Sequence, residues 1–239
     1  MPLPPQARAV LLDLDGTLLD TAPDLIGALN TLRGEHGKTP LPEGHLQPVV
    51  SHGSAAMVQR GFDLAPDTAG FEALRQRFLA LYRARVSQAT RAFPGMDELI
   101  DLLDERGIPW GVVTNKPGWL TEPLLADLGY APRAACIVSG DTLAARKPDP
   151  GPILLACKRL ALAPCDCVLV GDAERDIEAG RRAGALTLAA LFGYICGEDH
   201  VRRWGADGII SHPEEILRWL DPELLGQIPR QPEWAATGS

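Results

Sequence analysis

The sequence has few cysteines, no excess of positive charge and no long apolar run. Its five cysteines are scattered along 239 residues, an odd number that fits reduced thiols better than a disulfide framework. Cys165 and Cys167 are close together, but no second Cys/His pair lies nearby to complete a tetrahedral zinc site. We therefore expect buried thiols without a chemical role.

The formal net charge of −8 excludes a general electrostatic attraction to nucleic acid or to anionic lipid. No uncharged apolar stretch is long enough to span a bilayer, and residues 1–8 lack the charged start and continuous apolar region of a secretory signal. We expect a cytoplasmic protein, a monomer or a dimer, that binds neither nucleic acid nor membranes. The apolar content of 46% predicts a sizeable core.

Short apolar runs that end in polar residues predict strands buried on both faces of a parallel sheet. They lie at 9–12, 112–113 and 168–170, with further candidates at 135–138, 186–191 and 208–211. Helical patterns separate them at 96–106, 119–128 and 152–162. This alternation predicts an α/β protein with a doubly wound, mostly parallel, Rossmann-like sheet.

Residues 23–88 break this alternation, because they contain no convincing strand and helical periodicity dominates. The clearest helix has an apolar face of Phe71, Leu74, Phe78, Leu81 and Tyr82, with Arg75, Arg77 and Arg83 outside it. The pattern predicts an all-helical cap at 21–89, inserted into a core formed by 1–20 and 90–239. The segment 227–239, rich in proline and small polar residues, is expected to be a mobile tail.

The first predicted strand ends in two carboxylates, Asp13 and Asp15. Burying two acids there costs several kcal/mol unless a cation or a proton compensates them. Asp172 follows a later strand and Asp176 lies about one helical turn beyond it. Because the carboxyl ends of parallel strands meet at one edge of the sheet, these acids are expected to crowd together. All-oxygen ligands select a hard divalent cation, and Mg²⁺ is the expected one.

A third strand ending, Thr114-Asn115, is expected at the same edge. Taken alone, Thr and Asn often merely cap the next helix, and Gly171-Asp172 could merely form a turn. Because three predicted strands in one chain end in such polar residues, a functional site at this edge of the sheet is favoured.

Four motifs in this order resemble the haloacid dehalogenase-like superfamily of phosphohydrolases, and the resemblance covers essentially the whole chain, including a helical cap after the first motif. They are Asp13-Leu14-Asp15-Gly16-Thr17, Val113-Thr114-Asn115, Lys147-Pro148-Asp149-Pro150 and Val170-Gly171-Asp172-Ala173-Glu174-Arg175-Asp176.

The resemblance implies that Asp13 is the nucleophile, which forms an aspartyl phosphate, and that Asp15 is the general acid and base. It also implies that Mg²⁺ is held by the Asp13 carboxylate, the Asp15 backbone carbonyl and the Asp172 carboxylate. Gly16 lets the chain bend sharply beside the phosphate, and Thr17 supports the same turn.

The resemblance further implies that the Thr114 hydroxyl, the Asn115 backbone amide and the Lys147 ammonium bind the phosphoryl oxygens. Asp176 could reach the same ion or orient Lys147 by a hydrogen bond, and both roles are open. Arg146 stands where the family more often has a small residue, and it could contact solvent or an anionic substrate.

The leaving group would be chosen by the cap. The chain is similar to phosphoglycolate phosphatases over 13–24, 114–117 and 193–195. Within that group, 110–117, 153–158, 176–178 and 204–207 are most similar to the N-acetylmuramic acid 6-phosphate phosphatases of cell-wall recycling. Both substrates are small phosphate esters that also carry a carboxylate, so the two alternatives remain open.

A turn in the cap is a candidate for binding the substrate carboxylate. Ser51-His52-Gly53-Ser54 is expected to open a helix, and helix N-termini bind anions through free amides. In this hypothesis His52, Gly53 and Ser54 receive the carboxylate together with Arg60 or Lys116.

A phosphoacceptor signalling domain of the receiver type is an alternative of another class. Such domains also gather aspartates, a threonine and a lysine around Mg²⁺ on a doubly wound sheet. They are about half as long, have no helical cap, and hold their acyl phosphate because no acid or base lies two positions after the phosphorylated aspartate. Asp15 argues against this alternative.

Overall fold

The computed structural model describes residues 6–195 and 198–227, and its centre is a six-stranded parallel sheet. The strands in chain order are β1 Ala9–Leu12, β2 Leu19–Asp20, β3 Arg91–Ala92, β4 Trp110–Val113, β5 Cys136–Val138, β6 Cys167–Gly171, β7 Leu186–Ala190 and β8 Gly208–Ile210. The large sheet has the order β5-β4-β1-β6-β7-β8. Strands β2 and β3 form a separate antiparallel pair.

Nine α-helices lie in the described part of the chain: α1 Ala22–Glu35, α2 Glu43–Leu46, α3 Gly53–Phe62, α4 Phe71–Arg83, α5 Met96–Glu105, α6 Gly118–Asp127, α7 Gly151–Leu160, α8 Glu174–Ala183 and α9 Glu198–Val201. Some of these helices begin or end with residue types that are typical of helix termini. Pro23 stands in the first turn of α1, and Gly184 follows α8 with φ +80°, a left-handed conformation that favours glycine. None of these helices is long and apolar enough to cross a membrane.

Strand β1 lies at the middle of the sheet and is buried on both faces. It pairs with β4, where Leu12 is opposite Val112, and with β6, where Leu12 is opposite Val170. Val10 and Leu12 belong to one hydrophobic cluster, whereas Ala9 and Leu11 belong to another. Packing on both faces confirms the predicted doubly wound α/β sheet.

The predicted strands and helices of the core are confirmed, with ends that differ by a few residues. The short pair β2–β3 was not expected, because two residues per strand carry no periodic signal. The expectation for Cys165 is wrong: it is exposed, since it lies in the 3-10 turn Pro164–Asp166 before β6, whereas Cys167 is buried within the strand. Cys196 and the predicted tail beyond Gln227 lie outside the described residues.

Helices α1 to α4, which we call the cap, follow β2 and precede β3. Phe78 and Tyr82 of α4 are fully buried, as the periodicity predicted. The start of α1 is tied to the chain that leaves the cap by the buried carboxylate of Asp24. That carboxylate accepts hydrogen bonds from the backbone N–H of Ala89 (2.9 Å) and from the N–H and hydroxyl of Thr90 (both 2.8 Å).

Asp24→Ala is expected to destabilise the protein by about 3–5 kcal/mol, because the buried donors of Thr90 would lose their acceptor and Arg85, 3.4 Å from Asp24 Oδ1, would lose its ionic partner. Urea unfolding measures this change. Asp67→Ala, at an exposed position, is the control and should change the free energy of unfolding by about 0.5 kcal/mol or less. Equal stability of the two variants would show that the carboxylate does not hold the two cap connections together.

Candidate active site

Three neighbouring strands end at one edge of the sheet and place the polar residues of the motifs side by side. Asp13 follows β1, Thr114 follows β4 and Asp172 follows β6. Backbone bonds extend the sheet past the strand ends: Asp13 N–H donates to the Val170 carbonyl and Thr114 N–H to the Val138 carbonyl, both at 2.9 Å. The backbone positions of the site are therefore set by the sheet itself.

Lys147 is the cation at the centre of this edge. Its ammonium lies 2.7 Å from Asp13 Oδ1 and 2.7 Å from Asp176 Oδ1, and it donates to the Val113 carbonyl at 2.6 Å. Burial by itself would lower the pKa of Lys147, but attraction by Asp13 and Asp176 outweighs burial and raises it. The buried lysine therefore stays charged.

The side chain of Asn115 holds Lys147 in place. Its Nδ2 donates to the Lys147 carbonyl at 2.9 Å, and its Oδ1 accepts the Lys147 N–H at 3.0 Å. This reciprocal pair brings the loop that carries Lys147 against the end of β4. The Thr114 hydroxyl accepts the N–H of Lys116 at 3.1 Å, so its own hydrogen is free to be donated.

Asp13, Asp172 and Asp176 form a buried acidic cluster that could hold a metal ion, since one carboxylate oxygen of each lies within 4.8 Å of the others. Asp172 Oδ2 accepts hydrogen bonds from the Ser51 hydroxyl (2.7 Å) and the Tyr194 N–H (3.0 Å). Its Oδ1 is buried without a hydrogen-bond partner among the described residues. An all-oxygen donor set with an orphaned carboxylate oxygen fits a hard divalent cation.

The pKa of the Asp172 carboxyl group reflects the crowding of the three acids. Burial, and then the charges of Asp13 and Asp176, raise the pKa of Asp172 to about 7. A positive charge close to this carboxylate would reverse the effect of the two neighbouring acids.

Gly16 makes the close approach of the first motif to Asp172 possible. Its φ is +88°, and a Cβ at this position would overlap the Asp172 carboxylate. Both facts require glycine. Thr17, the next residue, is fully buried.

Asp15 lies outside the acidic cluster and faces the cap. Lys116 Nζ lies 2.8 Å from Asp15 Oδ1, and the Thr21 hydroxyl donates to the same oxygen at 2.6 Å. The Lys116 ammonium also lies 4.6 Å from the ring centroid of Tyr82 in α4, an attractive cation–π geometry. Burial would lower the pKa of Lys116, but Asp15 outweighs burial and raises it.

A cavity of about 590 Å³ separates this edge of the sheet from the cap. Asp13, Asp15, Thr114, Asn115 and Lys116 line it from the core, and the predicted turn of His52, Gly53 and Ser54 at the start of α3 lines it from the cap. Apolar walls come from Met57, Leu79, Trp119 and Leu120. The structure thus brings the predicted chemical residues and the predicted cap turn to one cavity.

Two arginines differ from the sequence-based expectation. Arg75 was expected to lie outside the apolar face of its helix, with no role at the site. It instead lines the cavity from the edge of α4 that faces α3, and its Nη1 donates to the Ser54 hydroxyl at 3.3 Å. Arg60, one of two cations considered for the cap turn, is exposed, donates to the His45 carbonyl at 3.3 Å and does not line the cavity. Arg146 is exposed at the cavity's edge.

Four residues at the site were not identified from the sequence: Arg175, Ser51, Tyr82 and Tyr194. Arg175 and Tyr194 stand inside segments that carry the family resemblance, so the sequence did contain a signal for these two residues. Ser51 stands at the start of the cap turn, but nothing in its sequence context indicated a hydrogen bond to a residue 121 positions later.

The sequence profile described as "Haloacid dehalogenase-like hydrolase" matches residues 10–190. The chain is 45% identical over 217 residues to an N-acetylmuramic acid 6-phosphate phosphatase of Pseudomonas aeruginosa, covering 91% of this chain and 96% of that protein. It is 44% identical over 218 residues to a phosphoglycolate phosphatase of Xanthomonas campestris pv. campestris, covering 90% of this chain and 98% of that protein.

Solved structures agree with these sequence similarities. The crystal structure of a predicted phosphoglycolate phosphatase from Haemophilus somnus superposes with a TM-score of 0.78 at 26% identity, covering 89% of this chain and 97% of that chain. From the profile match, the relatives and the fold, the chain belongs to the haloacid dehalogenase-like hydrolase family.

Proposed function

We propose that this protein is a Mg²⁺-dependent phosphomonoester hydrolase that acts through an aspartyl phosphate on Asp13. The protein is a phosphatase that acts on a small phosphate ester, in agreement with the names of its relatives. The observation that carries the proposed mechanism is the placement of Asp13: its carboxylate contacts Lys147 and is one of the three carboxylates of the acidic cluster. A carboxylate held beside fixed positive charge can attack a phosphate ester that would otherwise repel it.

Three groups around Asp13 would bind the phosphoryl oxygens. They are the Thr114 hydroxyl, the Asn115 backbone amide and the Lys147 ammonium. The free hydrogen of the Thr114 hydroxyl and the charge retained by Lys147 support this role. The ion pair between Lys147 and Asp176 supports Asp176 as the residue that orients Lys147, rather than as a direct ligand.

Asp15 would protonate the leaving oxygen and then take a proton from the water that hydrolyses the aspartyl phosphate. Its position supports this assignment, because it faces the cap cavity rather than the acidic cluster. Thr21 and Lys116 hold its carboxylate at the boundary between core and cap.

Asp13 and Asp172, with the backbone carbonyl of Asp15, would hold Mg²⁺, which when bound supplies neutralising charge for the phosphoryl group. The orphaned Oδ1 of Asp172 and the raised pKa of that carboxylate support a cation at this place.

The proposed physiological substrate is N-acetylmuramic acid 6-phosphate, with 2-phosphoglycolate as the alternative. Cavities of about 300–1,000 Å³ hold ligands larger than a two-carbon acid, so a cavity of about 590 Å³ with apolar walls favours the sugar. The cap, proposed at 21–89, would select this leaving group. Its turn of His52, Gly53 and Ser54, with Lys116 from the core, would lie near the substrate carboxylate.

A comparison of phosphorylated metabolites tests the proposed activity. We expect hydrolysis of both carboxylated esters in the presence of Mg²⁺, with a kcat/KM at least about 10-fold higher for N-acetylmuramic acid 6-phosphate, since the larger leaving group fills more of the cavity. A preference for 2-phosphoglycolate would reverse the substrate assignment, and absence of turnover with all phosphate esters would contradict the proposed activity.

Asp13→Asn is expected to lower kcat by more than about 10³-fold, because no aspartyl phosphate can form. Asp15→Asn should lower kcat by about 10²–10⁴-fold and slow both formation and hydrolysis of the phosphoenzyme. Rapid-quench measurements separate the two steps, and circular dichroism checks that the variants are folded. Wild-type turnover of Asp13→Asn would show that the nucleophile assignment is wrong.

Asp172→Asn tests the metal site without relying on activity. In the folded protein the pKa of Asp172 is raised to about 7 from 3.8, so the native state binds the extra proton and metal-free stability falls as pH rises from about 4 to about 7. In EDTA the variant should therefore be more stable than the wild type by about 1–4 kcal/mol at pH 8, with a much smaller gain near pH 4.5.

Thermal unfolding with EDTA or MgCl₂ measures both effects of this substitution. Mg²⁺ should raise the midpoint of the wild type and of the exposed control Asp67→Asn, but not that of Asp172→Asn. A Mg²⁺-induced rise of the same size in Asp172→Asn would place the cation elsewhere.

A further inference from the structure

Arg175 is a cation of the active-site cavity for which the proposed mechanism has no use. It lies in the first turn of α8, three residues after Asp172, and its partly buried side chain lines the cavity. Among residues 6–195 and 198–227 it forms no hydrogen bond and no ion pair. The five N–H donors of the guanidinium therefore have no acceptor among the described residues, and the side chain borders the cavity.

The other cations around the cavity are already paired or solvated. Lys116 lies 2.8 Å from Asp15, and Arg75 lies 2.7 Å from Glu72. Arg146 is exposed, so water can satisfy its donors. Arg175 differs from all three, because its charge is partly withdrawn from water but no carboxylate contacts it.

Arg175 nevertheless stays charged. Burial would lower its pKa, but the carboxylates of Asp176 and Asp13 act on it through space and raise it. Asp13 and Asp176 are both in contact with Lys147. A charged guanidinium with free donors and a cavity in front of it is the arrangement that binds an anion bidentately.

Arg175 lines the cavity together with the cap turn at His52–Ser54. His52 of the cap turn is close enough that the charge of Arg175, after burial, lowers the pKa of His52. Gly53 and Ser54 follow at the start of the ten-residue helix α3 and line the same cavity. The groups proposed to bind the phosphoryl oxygens lie elsewhere, at the end of β4 and on Lys147, beside Asp13.

We propose that Arg175 binds the carboxylate of the substrate, between the acidic cluster of the core and the cap turn at His52–Ser54. This inference rests on the proposed function and adds a specificity-determining residue to it. It explains how a cavity with so many carboxylates can accept a substrate that brings a further negative charge.

Arg175→Met tests the proposal with two matched pairs of esters. N-acetylmuramic acid 6-phosphate is compared with N-acetylglucosamine 6-phosphate, which lacks the lactyl carboxylate, and 2-phosphoglycolate is compared with ethyl phosphate. For whichever pair the wild type hydrolyses, the variant should lose about 10–100-fold in kcat/KM on the carboxylated ester, mostly through KM, and less than about 3-fold on its partner.

Other outcomes overturn the proposal. An equal loss on both members of a pair would assign Arg175 to the phosphoryl group or to the fold, and no loss on either would remove it from substrate binding. Arg175→Lys, which keeps the charge but not the bidentate geometry, should show an intermediate loss. Arg218→Met, an exposed arginine in the 3-10 turn Pro213–Trp219, is the matched control and should behave as the wild type.

Calorimetric binding separates a failure of this proposal from a failure of the proposed function. Asp13→Asn is titrated with both members of each pair, alone and combined with Arg175→Met, so that affinity is measured without turnover. Arg175→Met should remove a preference for the carboxylated ester of about 10-fold or more. If Asp13→Asn binds both members of each pair equally, Arg175 is not a carboxylate receptor, whatever the wild type hydrolyses.

Discussion

The repulsion among three buried carboxylates at the end of adjacent strands is the constraint on which this structure depends. Asp13, Asp172 and Asp176 are within 4.8 Å of one another, where like charges repel by several kcal/mol even at the effective dielectric of a protein. Lys147 offsets part of this repulsion by contacting Asp13 and Asp176. No cation contacts Asp172, and burial together with the charges of Asp13 and Asp176 raises the pKa of its carboxyl group to about 7.

The cap and the core meet through side chains that also belong to the site. Ser51 of the cap donates to Asp172, and Tyr82 of α4 lies against Lys116, the partner of Asp15. Tyr194 of the core donates its hydroxyl to Asp20 at 2.6 Å and accepts the N–H of Ala22 at 2.8 Å, next to the start of the cap. The position of the cap is therefore coupled to the carboxylates that would bind metal and transfer protons.

Much of the fold could be predicted because its local signals agree with one another. The apolar run at β1 is buried on both faces, and the residues that follow it could only meet those after β4 and β6 at one edge of a parallel sheet. The exposure of Cys165 and the inward position of Arg75 could not be predicted in this way. The exposure of Cys165 and the position of Arg75 depend on which other elements pack against a turn or a helix edge. The residue type alone does not predict these tertiary contacts.

The amino-acid sequence by itself determined the sheet, the order of its motifs and the identity of the chemical groups, since strand burial and the spacing of polar endings follow from local pattern. Only the tertiary structure decided which cation meets which carboxylate. Lys147 contacts Asp13 and Lys116 contacts Asp15. Arg175 contacts neither of these two carboxylates and acts on them only through space. Charge pairing depends on distances of a few ångströms between residues more than a hundred positions apart, and these distances are set by packing of the whole chain.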